Sequence, residues 1–177
     1  MPGTRHLFTV TRGLLRIATL VGLFLIVVLG LALGALTLAA LGLFQLPIPA
    51  NEMGGLTMGE ILSLGALGVG AGVICIALVT WMCLLTARIV DTASHGDPFV
   101  TQNADRLNQI GLLLLALQAI GLAVEIGMNM FPEKIRDHIS FGFDVSATGI
   151  LAALLIFVLA QIFRRGSEMR AELEGTV

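Results

Sequence analysis

Three polar side chains stand in the apolar stretch 110–131 at helical spacing: Gln118, Glu125 and Asn129. Together with Gly121 they fall on one face of a helix. An acid at mid-depth in a bilayer costs roughly 2.5–3.5 kcal/mol on insertion scales, so such a residue usually faces other helices. Two interpretations follow. Glu125 could carry a proton, an ion or a polar substrate in a transport pathway, or it could be a hydrogen-bonding acid that holds two helices in register.

Polar groups on other apolar runs should lie near this line. Counting from the same ends of the runs predicts Ser146 and Thr148 at the depth of Glu125, and Thr80 at the depth of Gln118. A transporter usually has broken helices at mid-depth or several membrane acids. Here Asp144 lies only at the boundary of its run, and both interpretations stay open.

The sequence contains few residues in a pattern that is typical of a catalytic site. The histidines His6, His95 and His138 are scattered, and none lies within an apolar run. The chain also has no HExxH motif, no serine elbow and no phosphate-binding Walker loop. We therefore expect no catalytic residues, no metal site, no cofactor and no enzyme activity.

The elements that carry these residues are set by composition. The chain has 177 residues, of which 56% are hydrophobic and 12% charged, whereas soluble domains average about 25% charged. The first apolar run is too long for the roughly 7–15 apolar residues of a signal peptide. We predict an all-α membrane protein, a single domain with four transmembrane helices in an up-down bundle, at about 17–44, 61–87, 103–131 and 144–165.

Basic residues predict the threading, because they favour the cytoplasmic side. Eight of the ten fall before the first run, between the second and third, or after the fourth, and only Lys134 and Arg136 fall in the other loops. Both termini, a loop at 88–109 and a tail at 166–177 should therefore be cytoplasmic. The net charge of -2 gives no sign of nucleic-acid binding.

Small residues recur at helical spacing, and close packing of such residues drives helices together in lipid. They predict either tight packing within one chain or a homo-oligomer interface. The sets are Gly30 and Gly34; Gly65, Gly68, Gly72 and Cys75; and Ser146, Gly149, Ala152, Ala153 and Ala160.

The polar segment from His95 to Gly111 separates the second and third runs. We expect an elbow there, with Asp97 as N-cap for Pro98 and with Thr101 or Asn103 capping a second helix start. The segment has more hydrogen-bonding groups than a connector requires. In the tail, Gly166 should break or bend the helix, and Met169 and Leu173 form an amphipathic turn that could dock a partner.

The stretch "GDPFVTQNADRLNQIG", followed by a polar-marked third run and by "FRRGSEMRAELEGTV", resembles a widespread bacterial family of four-helix membrane proteins of undefined function. The GDPF-x3-N-x2-RL-x2-IG spacing carries most of the likeness, and Ala171 departs from it where an acid would be expected. The resemblance implies an inner-membrane protein, often encoded beside a small helix-turn-helix regulator. The resemblance identifies seven positions as markers of the family but assigns them no role: Gly96, Asp97, Pro98, Phe99, Asn103, Arg106 and Leu107.

The leading hypothesis is a regulatory or sensing component of the bacterial inner membrane. Its inner loop and tail would dock a cytosolic partner. The alternative is a small oligomeric transporter or channel that uses Glu125. Both hypotheses require that the helices lie in a lipid bilayer.

Overall fold

The computed structural model describes residues 2–43, 57–95, 98–131 and 146–174. The described residues form four helices: α1 (Pro2–Ala40), α2 (Met58–Ser94), α3 (Thr101–Met128) and α4 (Ala147–Glu174). All four are long and apolar enough to cross a membrane. The protein is thus an all-α membrane protein, as the composition predicted.

Local sequence accounts for two of the helix ends. At the start of α2, the side chains and backbone of Thr57 and Glu60 form a reciprocal capping box, which satisfies amide groups that would otherwise lack a partner. After α1, Gly42 adopts φ 72°, a left-handed conformation that favours glycine. The amides of Gly42 and Leu43 then reach back to the carbonyls of Ala39 and Leu38 in a Schellman motif.

Packing runs between consecutive helices: α1 on α2, α2 on α3, and α3 on α4, with the α2–α3 contact the least extensive. Neighbours are antiparallel. Along α1 and α2, Arg12 pairs with Asp91 while Leu36 packs on Gly65, so one residue number rises as the other falls. The start of α1 and the ends of α2 and α4 therefore lie with the start of α3, at what we call the polar end.

Helices α1, α2 and α4 are longer than the predicted spans, and α3 begins two residues before its predicted start at 103; these bounds correct the loop and tail assignments. Residues 88–94 complete α2 and residues 101–109 begin α3, so most of the predicted loop 88–109 is helical. Gly166 does not break α4, which continues to Glu174. At about 1.5 Å per residue, α1 with its 39 residues is about 58 Å long against a roughly 30 Å hydrocarbon core.

The start of α3 also differs from the prediction. Pro98 precedes the helix, and the N-cap is Val100, which makes no side-chain cap. Thr101 is therefore the first helical residue, and Asn103 lies within the first turn instead of capping it. Asp97, the other predicted cap, lies outside the described residues, as does Gly96.

Close approach of the helices depends on glycine at a few positions. A Cβ at Gly22 would lie 2.2 Å from the Oγ1 of Thr80, and a Cβ at Gly65 would lie 3.2 Å from a methyl of Leu36. By contrast, nothing described lies within 4 Å of a Cβ at Gly30 or Gly34. The first pair of glycines packs within the chain, and the second pair does not.

Candidate functional site at the polar end

The polar end brings together most of the residues that carry the family resemblance. Asn103 and Leu107 are buried, Pro98 and Arg106 are half-buried, and Phe99 remains largely exposed. These residues belong to the 98–100 segment and to the first two turns of α3. The contacts they make join α3 to α2 on one side and to α4 on the other.

Asn103 is the centre of a buried hydrogen-bond network. It is 0% exposed, and its Nδ2 donates to the Thr92 hydroxyl at 2.7 Å and to the Pro98 carbonyl at 2.9 Å. The Thr92 hydroxyl in turn donates to the carbonyl of Ile89 at 2.9 Å. Since a buried amide must be satisfied, these bonds tie the end of α2, the connecting segment and α3 to one geometry.

Arg106 completes the network from one turn further along α3. Its Nη1 donates to the Asn103 Oδ1 at 2.8 Å and to the carbonyl of Arg88 at 3.3 Å. The Arg88 carbonyl lies in the last two turns of α2, where positive charge near the helix C-terminus is favourable. Arg106 therefore stabilises the α2–α3 junction by both a charge-assisted bond and its charge.

Phe99 attaches the same junction to α4 through aromatic packing. Its ring lies 5.1 Å from that of Phe163, centroid to centroid, at an interplanar angle of 40°. A Cβ at Gly166 would come within 2.8 Å of the Phe99 ring. Gly166 thus admits the aromatic side chain of Phe99 against α4, where the sequence suggested a helix break.

Two ion pairs lie around this centre. Arg164 of α4 pairs with Asp105 of α3 at 2.8 Å, and Arg12 of α1 pairs with Asp91 of α2. Both pairs are partly exposed, so each contributes little to stability. The roles of Asp91 and Thr92 could not be predicted from the sequence, because their partners lie on other helices and no sequence spacing reveals them.

A cavity of about 400 Å³ opens beside the network, between the 98–102 segment and the end of α4. Gln102, Ser167 and Arg170 are among its polar lining residues, together with the Phe99 ring. On the same part of α4, but outside the cavity lining, Met169 is 60% exposed and Leu173 is 71% exposed. We refer to these two side chains and the cavity together as the docking face.

The polar residues within the apolar part of α3 have neighbours other than those predicted. Gln118 meets Ser146 at the start of α4, with its Nε2 donating to the Ser146 carbonyl at 2.7 Å. Ser146 therefore lies about two turns of α3 away from the depth of Glu125, where it was predicted. Thr148 is exposed beside this contact.

Thr80 packs against α1. It is 5% exposed, it fills the space at Gly22, and its hydroxyl donates to the Ile76 carbonyl at 2.7 Å. Its predicted depth near Gln118 stays a prediction.

Glu125 lies near the far end of α3, one turn before that helix ends at Met128. At about 1.5 Å per residue it lies about 28 Å from Arg106 along the helix axis. Both Glu125 and Asn129 are exposed. The mid-depth position of Glu125 and its part in a transport pathway stay predictions.

No group of three histidine, cysteine or acidic side chains that could hold a metal occurs among the described residues. Residues 50–177 match a family described as a protein of unknown function (DUF2975). The matched range includes α2, α3 and α4, and α1 precedes it. No curated protein matches the chain, and no solved structure does.

Proposed function

The chain belongs to the DUF2975 family, since the match covers well over half of its length. We propose that it is a membrane-embedded regulatory component that docks a cytosolic protein. The docking face at the polar end would receive the partner. The proposal places the polar end in the cytoplasm and the helices in a bacterial inner membrane, following the bias of basic residues towards that end.

The observation that carries this proposal is the exposure of Met169 and Leu173 on a helix that has left the apolar region. Arg164 and Arg165 close the apolar part of α4, and the helix continues to Glu174. The two apolar side chains are four residues apart, so they share one face. Apolar side chains grouped on a water-exposed helix are typical of a surface that binds another protein.

The neighbouring cavity adds a polar component to this face. Gln102 and Ser167 offer amide and hydroxyl groups there. A partner segment that inserts a polar side chain into the cavity, and apolar side chains against Met169 and Leu173, would match both parts of the face. The proposal therefore favours a short amphipathic segment as the docking element.

Asn103, Arg106 and Phe99 take a supporting role in this proposal. The hydrogen bonds of Asn103 and Arg106 are made within the chain, so these two residues hold the docking face in shape without touching the partner. Phe99 packs on Phe163 and also lines the cavity. A rigid surface loses less conformational entropy on binding than a flexible one. Substitutions at these three positions should weaken docking indirectly, through loss of structure.

The test is native mass spectrometry of the protein extracted gently from its own membrane. The unmodified chain should carry a soluble polypeptide in fixed ratio. The double substitution Met169→Asp and Leu173→Asp should remove it, because each change places a charge where an apolar contact would be buried. Glu168→Ala is the matched control, since Glu168 is exposed on the same segment but faces another direction.

Retention of the polypeptide by the double variant would contradict the proposal, and so would its loss from the Glu168→Ala control. Copies of this chain alone, with no soluble polypeptide, would also count against it. Helix content by circular dichroism should be unchanged in both variants, which separates loss of docking from loss of fold.

A further inference from the structure

A second cavity at the polar end lies between α1 and α2, away from the docking face. Its volume is about 470 Å³. Arg12, Arg16 and Arg88 line it together with Asp91, and Leu20 and Leu84 lie on its apolar side. We call it the arginine cavity.

The charges of this cavity do not cancel. Asp91 is paired with Arg12, which leaves the guanidinium groups of Arg16 and Arg88. Neither of them has an ion-pair partner among the residues that the structure describes. Two positive charges therefore face a concave surface in which one acid is already neutralised.

Arg12 itself has unused hydrogen-bonding capacity. Its contacts with Asp91 and Ser94 all use Nη2. Its buried Nε has no hydrogen-bond partner in the described parts of the chain. An unsatisfied buried donor is unfavourable, and an anionic oxygen is the acceptor that would satisfy it best.

The cavity straddles the boundary of the apolar region. Arg16 directly precedes the apolar run of α1, and Arg88 directly follows that of α2. Ala87, Leu84 and Leu20 continue the lining on the apolar side. A ligand seated here would meet guanidinium groups at one end and aliphatic side chains at the other.

We infer that the arginine cavity binds the phosphate headgroup of an anionic phospholipid, with its acyl chains towards Leu20 and Leu84. Arginine presents several donors in a planar fork that matches phosphate oxygens. Basic pockets between transmembrane helices recognise such headgroups. The inference concerns a surface other than the docking face and does not depend on it.

The experiment is a titration of the purified protein in a non-ionic detergent, followed by native mass spectrometry. Phosphatidylglycerol should bind at one molecule per chain. Phosphatidylcholine should bind about tenfold more weakly, because its choline charge is repelled by the arginines. Inorganic phosphate is titrated in parallel to separate a lipid headgroup from a soluble phosphate.

The double substitution Arg16→Gln and Arg88→Gln should weaken phosphatidylglycerol binding by about tenfold or more. Arg165→Gln is the matched control, because Arg165 is an exposed arginine at the same end that does not line this cavity, and it should bind as the unmodified chain does. Ala87→Leu, which fills the cavity and leaves every charge in place, should also abolish the complex.

Equal weakening by Arg165→Gln would overturn the inference, because binding would then depend on overall charge alone. Equal affinity for the two lipids would overturn it as well. Binding of inorganic phosphate that depends on Arg16 and Arg88, without binding of phosphatidylglycerol, would replace the lipid with a soluble phosphate.

Discussion

The two sides of α2 at the polar end are built by different means. Towards α3 and α4, a fully buried amide, a charge-assisted bond and an aromatic pair hold the helices together. Towards α1, one partly exposed ion pair is joined by small-residue packing, and a cavity of about 470 Å³ remains open. The network around Asn103 has its polar groups satisfied within the chain, whereas the arginine cavity keeps hydrogen-bond donors available.

This difference separates a structural role from a binding role among residues of similar type. Arg106 donates to Asn103 and to a helix carbonyl, so its charge is used within the fold. Arg16 and Arg88 line a cavity instead. The number of arginines at an end of a membrane protein therefore says less about ligands than the partners those arginines already have.

Asn103→Ala should cause the largest loss of stability, because it disrupts the side of α2 that packs on α3. It leaves the Pro98 carbonyl and the Thr92 hydroxyl without a donor and removes an acceptor of Arg106. Loss of such buried partners should lower the free energy of unfolding by about 2–3 kcal/mol. Denaturation in mixed micelles, followed through the fluorescence of Trp81, the single tryptophan, measures the change.

Asn108→Ala provides the control for that experiment. Asn108 is exposed on the same helix, so its replacement should change stability by no more than about 0.5 kcal/mol. Equal losses in the two variants would mean that the buried network does not hold the α2–α3 junction together.

Gly22→Ala, where α1 packs on α2, should cause a smaller loss of stability. The new methyl would collide with the Thr80 hydroxyl, and overpacking costs about 1–3 kcal/mol. The better helix propensity of alanine offsets about 0.8–1 kcal/mol of that cost. The net loss of stability should be about 1 kcal/mol in the same denaturation experiment.

Gly30→Ala is the matched change on the same helix, at a position with nothing described within 4 Å of the new Cβ. It should leave stability unchanged or raise it slightly, because only helix propensity is altered. A loss at Gly30 equal to that at Gly22 would show that the α1–α2 approach is not set at Gly22.

The number and apolar character of the helices could be predicted because they depend on local composition. Four apolar runs gave four helices, and the helices are long enough to cross a membrane. The helix ends were harder to predict from the sequence. Polar residues such as Asp91 and Thr92 remain helical because residues of neighbouring helices satisfy them, and sequence periodicity does not report tertiary partners.

Register between helices was the least predictable feature. Counting from run ends placed Ser146 at the depth of Glu125, whereas it meets Gln118. The actual register is set by contacts between side chains of the two helices, such as Phe157 on Gly111 and Gln118 on Ser146, and the ends of the apolar runs do not report these contacts. The role of Gly166 was misjudged for a related reason, since the Phe99 ring that occupies its open side is far away in sequence.

The central claim is that the polar end stands in water on the cytoplasmic side, and cysteine labelling in cells tests it most directly. Cys75 and Cys83, the two cysteines of the chain, are replaced by alanine, and Glu168→Cys or Leu155→Cys is introduced. A membrane-impermeant maleimide should label position 168 only after the inner membrane is opened, and should leave position 155 unlabelled throughout. Labelling of position 168 in intact cells, or its absence after opening, would contradict the claim.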